Sequence, residues 1–364
     1  MGGLVQPAGR AQPAAGPVLG GWLGAPGPGR ADGSALGPAG GCERDGGPAS
    51  STAFEPAFDQ PVAPGGYAWW YLDALSDDGE HGLTIIAFIG SVFSPYYAWA
   101  RRHTPQGLAD PLNHCAVNVA LYSRGGGARW AMTERGRAQL GRDARTLQIG
   151  PSALRWEGER LHIEIDEITV PWPARMRGRV TLHAPCRLAR AYTLAQQHRW
   201  CPIVPAARVE VDLGGQRWSG PGYLDSNQGD APLERAFRCW DWSRARLAGG
   251  RSAVFYDAQR ADGTRLRLGL RFAPDGRAEV VPGPPDAVLP STGWRVARRA
   301  RADAGTPASV LQTLTDAPFY ARSLIAAHWL GEPGTAMHES LSLTRFDSAW
   351  VQAMLPFRMP RAAG

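Results

Sequence analysis

One acidic side chain, Asp225, sits among aromatic and small residues in the stretch GPGYLDSNQGDAPLE, residues 220–234. Tyr223 precedes it by two positions. A His198-x-Trp200 pair lies shortly upstream in QHRWCP, and CWDW, residues 239–242, follows. A carboxyl set among aromatic faces suits proton-driven chemistry on an apolar molecule. It does not suit metal, phosphate or nucleophilic-serine chemistry, and the rest of the sequence bears on each of these.

The histidines His81, His103, His114, His162, His183, His328 and His338 are dispersed, and His198 has only Trp200 beside it. His338-Glu339 opens no H-E-x-x-H zinc site, because Ser342 stands where the second His is needed. Without that ligand spacing a metal centre is not expected. The chain has no lysine, so no G-x-x-x-x-G-K-[ST] phosphate loop exists, and Gly125-Gly-Gly127 opens no helix. There is no G-x-S-x-G elbow. The five cysteines are odd in number and scattered, which fits buried thiols in a reducing compartment rather than a disulfide framework.

The chain has 364 residues, 44% hydrophobic and 20% charged, a composition for a folded core and room for two domains. Its net charge of +6 comes with 45 Gly and 31 Pro, and every basic residue is Arg. That reads as a codon bias rather than a nucleic-acid signal; if the surplus acts, anionic lipid headgroups are its target. Residues 1–52 are rich in Gly, Ala and Pro and are expected to be a disordered tail. The longest apolar run, Leu83 to Val92, is about half the ~20 residues that a membrane-spanning helix needs.

Elements that position the acid should be strands. Tyr67–Asp73 and Leu83–Ile89 read as a hairpin around the Asp77-Asp-Gly79 turn. Asn113–Tyr122, Leu161–Ile165 and Arg179–His183 have the same character. Helical periodicity is nearly absent, with Ser348–Leu355 the best segment. Trp69-Trp-Tyr followed by Asp78-Gly and Leu83–Ile89 is echoed by Trp240-Asp-Trp, Asp262-Gly and Leu266–Phe272. One unit in two copies suggests a duplicated β-barrel, with a boundary near residue 230. The tryptophans and tyrosines of 67–71 and 240–242 read as core packing. In a strand, residues two apart share a face, so Tyr223 with Asp225, and His198 with Trp200, would line one cavity if both segments are extended. The alternative is that Asp225-Ser-Asn-Gln-Gly is a turn whose Asp and Asn bond the local backbone.

Five segments carry a resemblance. They are GGYAWWYLDALSDDGEHGLTIIAFIGSVFSPYY (65–97), DPLNHCAVNVALY (110–122), RWAMTERGR (129–137), HRWCPIVP (198–205) and GPGYLDSNQGDAPLE (220–234). Over residues 60 to 355 the chain resembles the carotenoid 1,2-hydratases, also called hydroxyneurosporene synthases. The resemblance implies an all-β fold of two tandem lipocalin-like antiparallel barrels, here 53–230 and 231–364. It implies addition of water to the terminal C1–C2 double bond of acyclic carotenes such as neurosporene and lycopene, with no cofactor. The family's proton donor, an Asp two residues after a Tyr, falls on Asp225 and Tyr223, and its His-x-Trp falls on His198 and Trp200.

On that reading Asp225 protonates C2, and water captures the tertiary cation at C1. Burial raises the acid's pKa as the task requires. Trp200 and Tyr223 would face the cation. His198 would position the water, take its proton or orient Asp225. Asn113, His114 and Asn227 are second-tier polar candidates for substrate binding. A carotene must come from a bilayer, so the expectation is a peripheral position on the cytoplasmic side of the inner, photosynthetic membrane, with Met354–Arg361 as a candidate lipid contact. Two other classes fit the scaffold: a lipid-binding barrel without catalysis, and a cyclase that excludes water from the cation.

Overall fold

A strand that is apolar on both faces needs cover on both sides, and Tyr67–Leu72 and Leu83–Ile89 are of that kind. The computed structural model describes residues 49–363. It is mostly β, and it places both segments inside a large antiparallel sheet. The strands of this first sheet are β1 (Ser51–Ala53), β2 (Tyr67–Leu75), β3 (His81–Ile89), β4 (Cys115–Ser123), β5 (Arg129–Arg135), β6 (Leu140–Arg142) and β7 (Thr146–Ile149). They continue as β8 (Ser152–Glu157), β9 (Arg160–Ile168), β10 (Arg175–His183), β11 (Arg190–Ala195), β12 (His198–Leu213) and β13 (Gln216–Gly229). Their order is β5-β4-β3-β2-β13-β12-β10-β9-β8-β7-β6, with β11 and β1 branching from β12. The ladder curls until Ala131 of β5 bridges Thr169 just past β9, and the Val170 amide donates to the Trp130 carbonyl at 2.9 Å. The result is a nearly closed antiparallel barrel.

A second antiparallel sheet is built from β14 (Phe237–Arg246), β15 (Ser252–Arg260), β16 (Arg265–Phe272), β17 (Ala278–Val280), β20 (Ser309–Asp316), β21 (Tyr320–Trp329) and β22 (Glu332–Ser342). Its order is β17-β16-β15-β14-β22-β21-β20. A separate ribbon pairs β18 (Asp286–Leu289) with β19 (Arg298–Arg301).

Alternation along the strands sorts the side chains into three layers. Ala68, Trp70, Leu72 and Ala74 of β2 point into the first barrel, where they meet Ile85, Val117, Leu161, Val211 and Leu224. That interior is packed with side chains. Tyr67, Trp69 and Tyr71, on the opposite face of β2, join Tyr223, Trp240, Trp242, Tyr256 and Leu268 in a layer shared by the two sheets. A third cluster, with Ala245, Phe255, Ile325 and Trp329, lies on the far face of the second sheet. Each fully buried aliphatic or aromatic side chain contributes roughly 1.5–3 kcal/mol through burial.

One buried ion pair ties the two sheets together. Arg244 of β14 pairs with Asp73 of β2 through two nitrogens, its Nε lying 3.3 Å from Asp73 Oδ2. Burial pushes the Asp73 carboxyl upward, against the pull of Arg244.

The expected hairpin around Asp77–Gly79 is present as β2 and β3, and the other expected strands appear as β4, β9 and β10. Helix is more frequent than the periodicity suggested. The helix α1 (Pro95–His103) starts where Ser94 Oγ accepts from the Tyr96 and Tyr97 amides at 3.1 and 3.0 Å, with Pro95 in the first turn. Ser-Pro is a proper start signal, but the aromatic run after it hides the helical period. The chain then forms α2 (Leu233–Ala236), α3 (Leu343–Phe346) and α4 (Ala349–Met354), the last of these the segment expected near the C-terminus. The tail expected over 1–52 falls mostly outside the described residues. Its last part is structured, because Ser51–Ala53 pairs with Arg190–Tyr192 of β11.

The C-terminal residues strap onto β5. Glu134 donates its amide to the Pro360 carbonyl at 2.9 Å and accepts from the Ala362 amide at 2.8 Å, while Arg361 pairs with the Glu134 carboxylate. No helix among the described residues is long and apolar enough to cross a membrane.

Candidate active site

Asp225 lies in the middle of β13, so the turn alternative for 225–229 does not hold: residues 216–229 are one continuous strand. The long hairpin of β12 and β13 closes at Gly214-Gly215, both with positive φ (62° and 84°), as a tight two-residue turn requires. This register sets Asp225 opposite Pro202 on β12 and Tyr71 on β2, with Asn227 opposite Trp200 and Trp69. Trp200 is thus diagonal to Asp225, on the same face. Its indole Nε1 donates to Asp225 Oδ2 at 2.7 Å, and the Tyr223 hydroxyl donates to the same oxygen at 2.9 Å. Asp225 Oδ1 is buried and has no protein partner.

Burial dominates the electrostatics and pushes the Asp225 carboxyl up to about 8, although the hydrogen bonds from Trp200 and Tyr223 pull the other way. Both donors stabilise the carboxylate form, yet desolvation outweighs them. Near neutral pH, Asp225 holds its proton.

Asp225 opens on a cleft between the two sheets. Trp69, Tyr71, Asp225 and Asn227 form one wall, and Trp240, Trp242, Tyr256 and Glu339 form the other. The cleft offers about 30 Å³, room for one or two waters. The rings interlock: Trp242 packs against Tyr223 and Tyr71 with centroids 5.4 and 5.5 Å apart, and Trp200 meets Tyr256 edge-on at 5.6 Å. Two further buried polar atoms on cleft residues, Tyr71 Oη and Trp242 Nε1, have no protein partner.

The other expected residues separate. His198 shares the Trp200 face but hydrogen-bonds Tyr67 through Nδ1 at 2.9 Å, and its ring meets Phe237 edge-on at 5.2 Å. Gly229 makes this contact possible, since a Cβ there would come within 2.5 Å of His198 Nδ1. Burial lowers His198 to about 4, so the ring is neutral. It has no hydrogen bond to Asp225. Asn227 lines the cleft. Asn113 is exposed and accepts from the Arg137 amide at 3.3 Å. His114 is buried against Tyr97 and bonds Glu134 at 2.9 Å. Both belong to the C-terminal strap rather than to the cleft.

Six cleft residues lie outside the motifs that the sequence offers. Trp69, Tyr71, Trp240 and Trp242 carried a signal, because two aromatics two apart on a strand share a face, and the pairs occur in both copies of the internal echo. Tyr256 carried none. Glu339 stands in the sequence only as half of an incomplete metal motif. No cluster of metal-ligating side chains occurs among the described residues.

The sequence model described as "Carotenoid hydratase CrtC" matches residues 85–364. The chain is 53% identical to the acyclic carotenoid 1,2-hydratase of Thiocapsa roseopersicina over 100% of its own length and 88% of the relative's. It is likewise 53% identical to that of Rubrivivax gelatinosus, over 85% of this chain and 76% of the relative. Among solved structures, a candidate AttH protein of Nitrosomonas europaea superposes with a TM-score of 0.52 at 14% identity, covering 79% of this chain and 99% of that one. That likeness concerns the fold alone. The chain belongs to the carotenoid hydratase CrtC family.

Proposed function

We propose that this protein is an acyclic carotenoid 1,2-hydratase that adds water across the terminal C1–C2 bond of carotenes such as lycopene and neurosporene. The relatives that share 53% of its residues carry that activity in their names. The observation that carries the mechanism is the buried Asp225 carboxyl facing an aromatic cleft.

An isolated alkene is a weak base, so it needs an acid that is both protonated and positioned. Oδ2 of Asp225 accepts two hydrogen bonds, which leaves Oδ1 to carry the proton toward C2. The tertiary cation formed at C1 has no hydrogen-bond handle. Tyr71, Trp242, Tyr223 and Trp200 present ring faces and edges around it, and each suitable face is worth ~0.5–2 kcal/mol, more when dry. Trp200 and Tyr223 thus act twice, orienting the acid and bordering the charge. His198, neutral and bonded to Tyr67, positions the aromatic wall through Tyr67, which stacks on Trp69 at 4.9 Å. Asn227 is assigned to the substrate channel. The chain needs no cofactor for this chemistry. Because the cleft is smaller than a carotene end group, entry moves side chains of the aromatic wall.

The finer architecture belongs to the same proposal. Residues 53–230 and 231–364 are two lipocalin-like barrel units in tandem, and the alternation of β14, β15 and β22 between two apolar layers supports this reading for the second. The substrate is lipid-soluble, so the protein works at the cytoplasmic face of the membrane as a peripheral protein. Exposed Trp172 and Phe357, the latter beside Arg358, suit that contact. A carrier is disfavoured by the filled interior of the first barrel.

Expression of Asp225→Asn in lycopene-producing cells tests the assignment. The 1-hydroxy product should vanish while the protein level holds; retained product would remove Asp225 as the donor.

A further inference from the structure

Glu339 is a carboxylate on the wall of the cleft opposite Asp225. It stands on β22, with its neighbours in the alternation, Met337 and Leu341, in the shared layer. His338 points the other way, to Ser243 at 2.8 Å. Glu339 does not lie loose. Arg322 of β21, directly across the ladder, donates from Nε at 2.8 Å and approaches with Nη2 at 2.7 Å, both to Oε1. Arg322 also donates to the Tyr122 hydroxyl at 2.7 Å and lies 5.7 Å over the Tyr71 ring.

The two carboxyl groups of the cleft therefore differ in kind. Asp225 receives only neutral donors and is fully desolvated, and the negative charge of Glu339 adds to the burial that holds its proton on. Glu339 receives a guanidinium. Two carboxyls facing one cavity in unlike surroundings are the arrangement that separates an acid from a base. Between them lies room for about one or two waters, and Tyr71 Oη and Trp242 Nε1 are unpartnered there.

We propose that Glu339 is the catalytic base of the capture step, with Arg322 as its positioning residue. The inference rests on Asp225 being the acid. Asp225 gives its proton to C2, and the π pair of C1=C2 becomes the new C2–H bond. A lone pair of the water forms the C1–O bond. The proton released from that oxygen passes to the Glu339 carboxylate. Return of a proton from Glu339 to Asp225 through the cleft water restores both groups, and the net change is the addition of one water.

The test separates the two halves of the reaction. Lycopene is incubated with enzyme in D2O, and both hydration and deuterium at C2 of the recovered lycopene are read by mass spectrometry. In Glu339→Gln the cation still forms, lives long enough to rotate about C2–C3, and reverts by giving Asp225 the original C2 hydrogen, so that the added deuterium stays. Hydration should then fall about 10²-fold, near the low end for general-base catalysis, while deuterium still enters the recovered substrate. Asp225→Asn, run alongside, should lose both signals. Hydration by Glu339→Gln within about threefold of wild type, or loss of both signals together, overturns the proposal. If Asp225→Asn keeps deuterium uptake, the underlying acid assignment fails instead. Should Glu339→Gln not fold by near-UV circular dichroism, Glu339→Asp is read by the same signals. Slower hydration with uptake kept supports the base; both kept at wild-type level, or both lost, overturn it.

Discussion

The two faces of β13 and β2 are built to different ends. On one, Leu224, Ala68, Trp70 and Leu72 fill the first barrel with hydrocarbon and a single indole. On the other, one residue along, Asp225, Tyr223, Tyr71 and Asp73 carry hydroxyls and charges into a layer just as dry. Lipocalin-like barrels suggest a ligand in the lumen; here the lumen is packed, and the proposed acid sits on the outside of the barrel, under a second sheet. On the proposed assignment, the difference teaches that the second sheet covers the acid as well as stabilising its neighbour. Without it Asp225 would face water, and the desolvation that keeps its proton on would be lost.

Adjacent residues on opposite faces give the sharpest test. Asp225→Asn should lower the hydration rate about 10²–10⁴-fold, the usual worth of a positioned acid, and leave the circular dichroism spectrum unchanged. Its neighbour Leu224→Ala should do the reverse. Denaturant unfolding should show a loss of about 2–5 kcal/mol, while the folded fraction turns over at the wild-type rate. If Leu224→Ala changed the rate as much as Asp225→Asn, the division of labour would be wrong.

The acid's proton also couples to stability. Asp225 titrates near 3.8 unfolded and at about 8 folded. Below the lower value both states hold the proton. Between the two, the unfolded chain releases it and the native state does not, so each pH unit costs the native state about 1.4 kcal/mol. Asp225→Asn lacks this slope. The variant should therefore gain thermal stability relative to wild type as pH rises from 5 to 8, and equal slopes in thermal melts would show that the carboxyl is not desolvated. Catalysis should follow the same group: turnover is retained below about 8 and falls tenfold per unit above it.

The smallest effect concerns the rings. Trp242→Ala should cost at most about 30-fold in rate, equivalent to ~2 kcal/mol of cation stabilisation, and Trp242→Phe should cost less. Equal losses in the two variants would assign Trp242 to packing.

Much of this arrangement could be read from the sequence because one strand carries it. Tyr223 and Asp225 share a face through spacing alone, and the His198-x-Trp200 pair follows from the same rule. Trp200 reaches the acid because β12 and β13 are neighbours in a hairpin. The limit came where the site draws on distant strands. Glu339 is brought to Asp225 by pairing of β14 with β22 and by packing of two sheets, neither of which leaves a local pattern. Trp69 and Trp240 looked like core residues, and they are core; the layer they pack is also the chamber. Asn113 and His114 lie away from the cleft. The His114 ring bonds Glu134, and the Asn113 backbone carbonyl accepts from Arg361.

That contact has a practical consequence. β5 is the last strand at its end of the ladder, and Pro360–Ala362 occupy the amide and carbonyl of Glu134. A protease nick ahead of Pro360 would bare those groups, offering a pairing surface to another molecule. Preparations clipped there should grow sticky, and light scattering would register the damage before any pigment assay did.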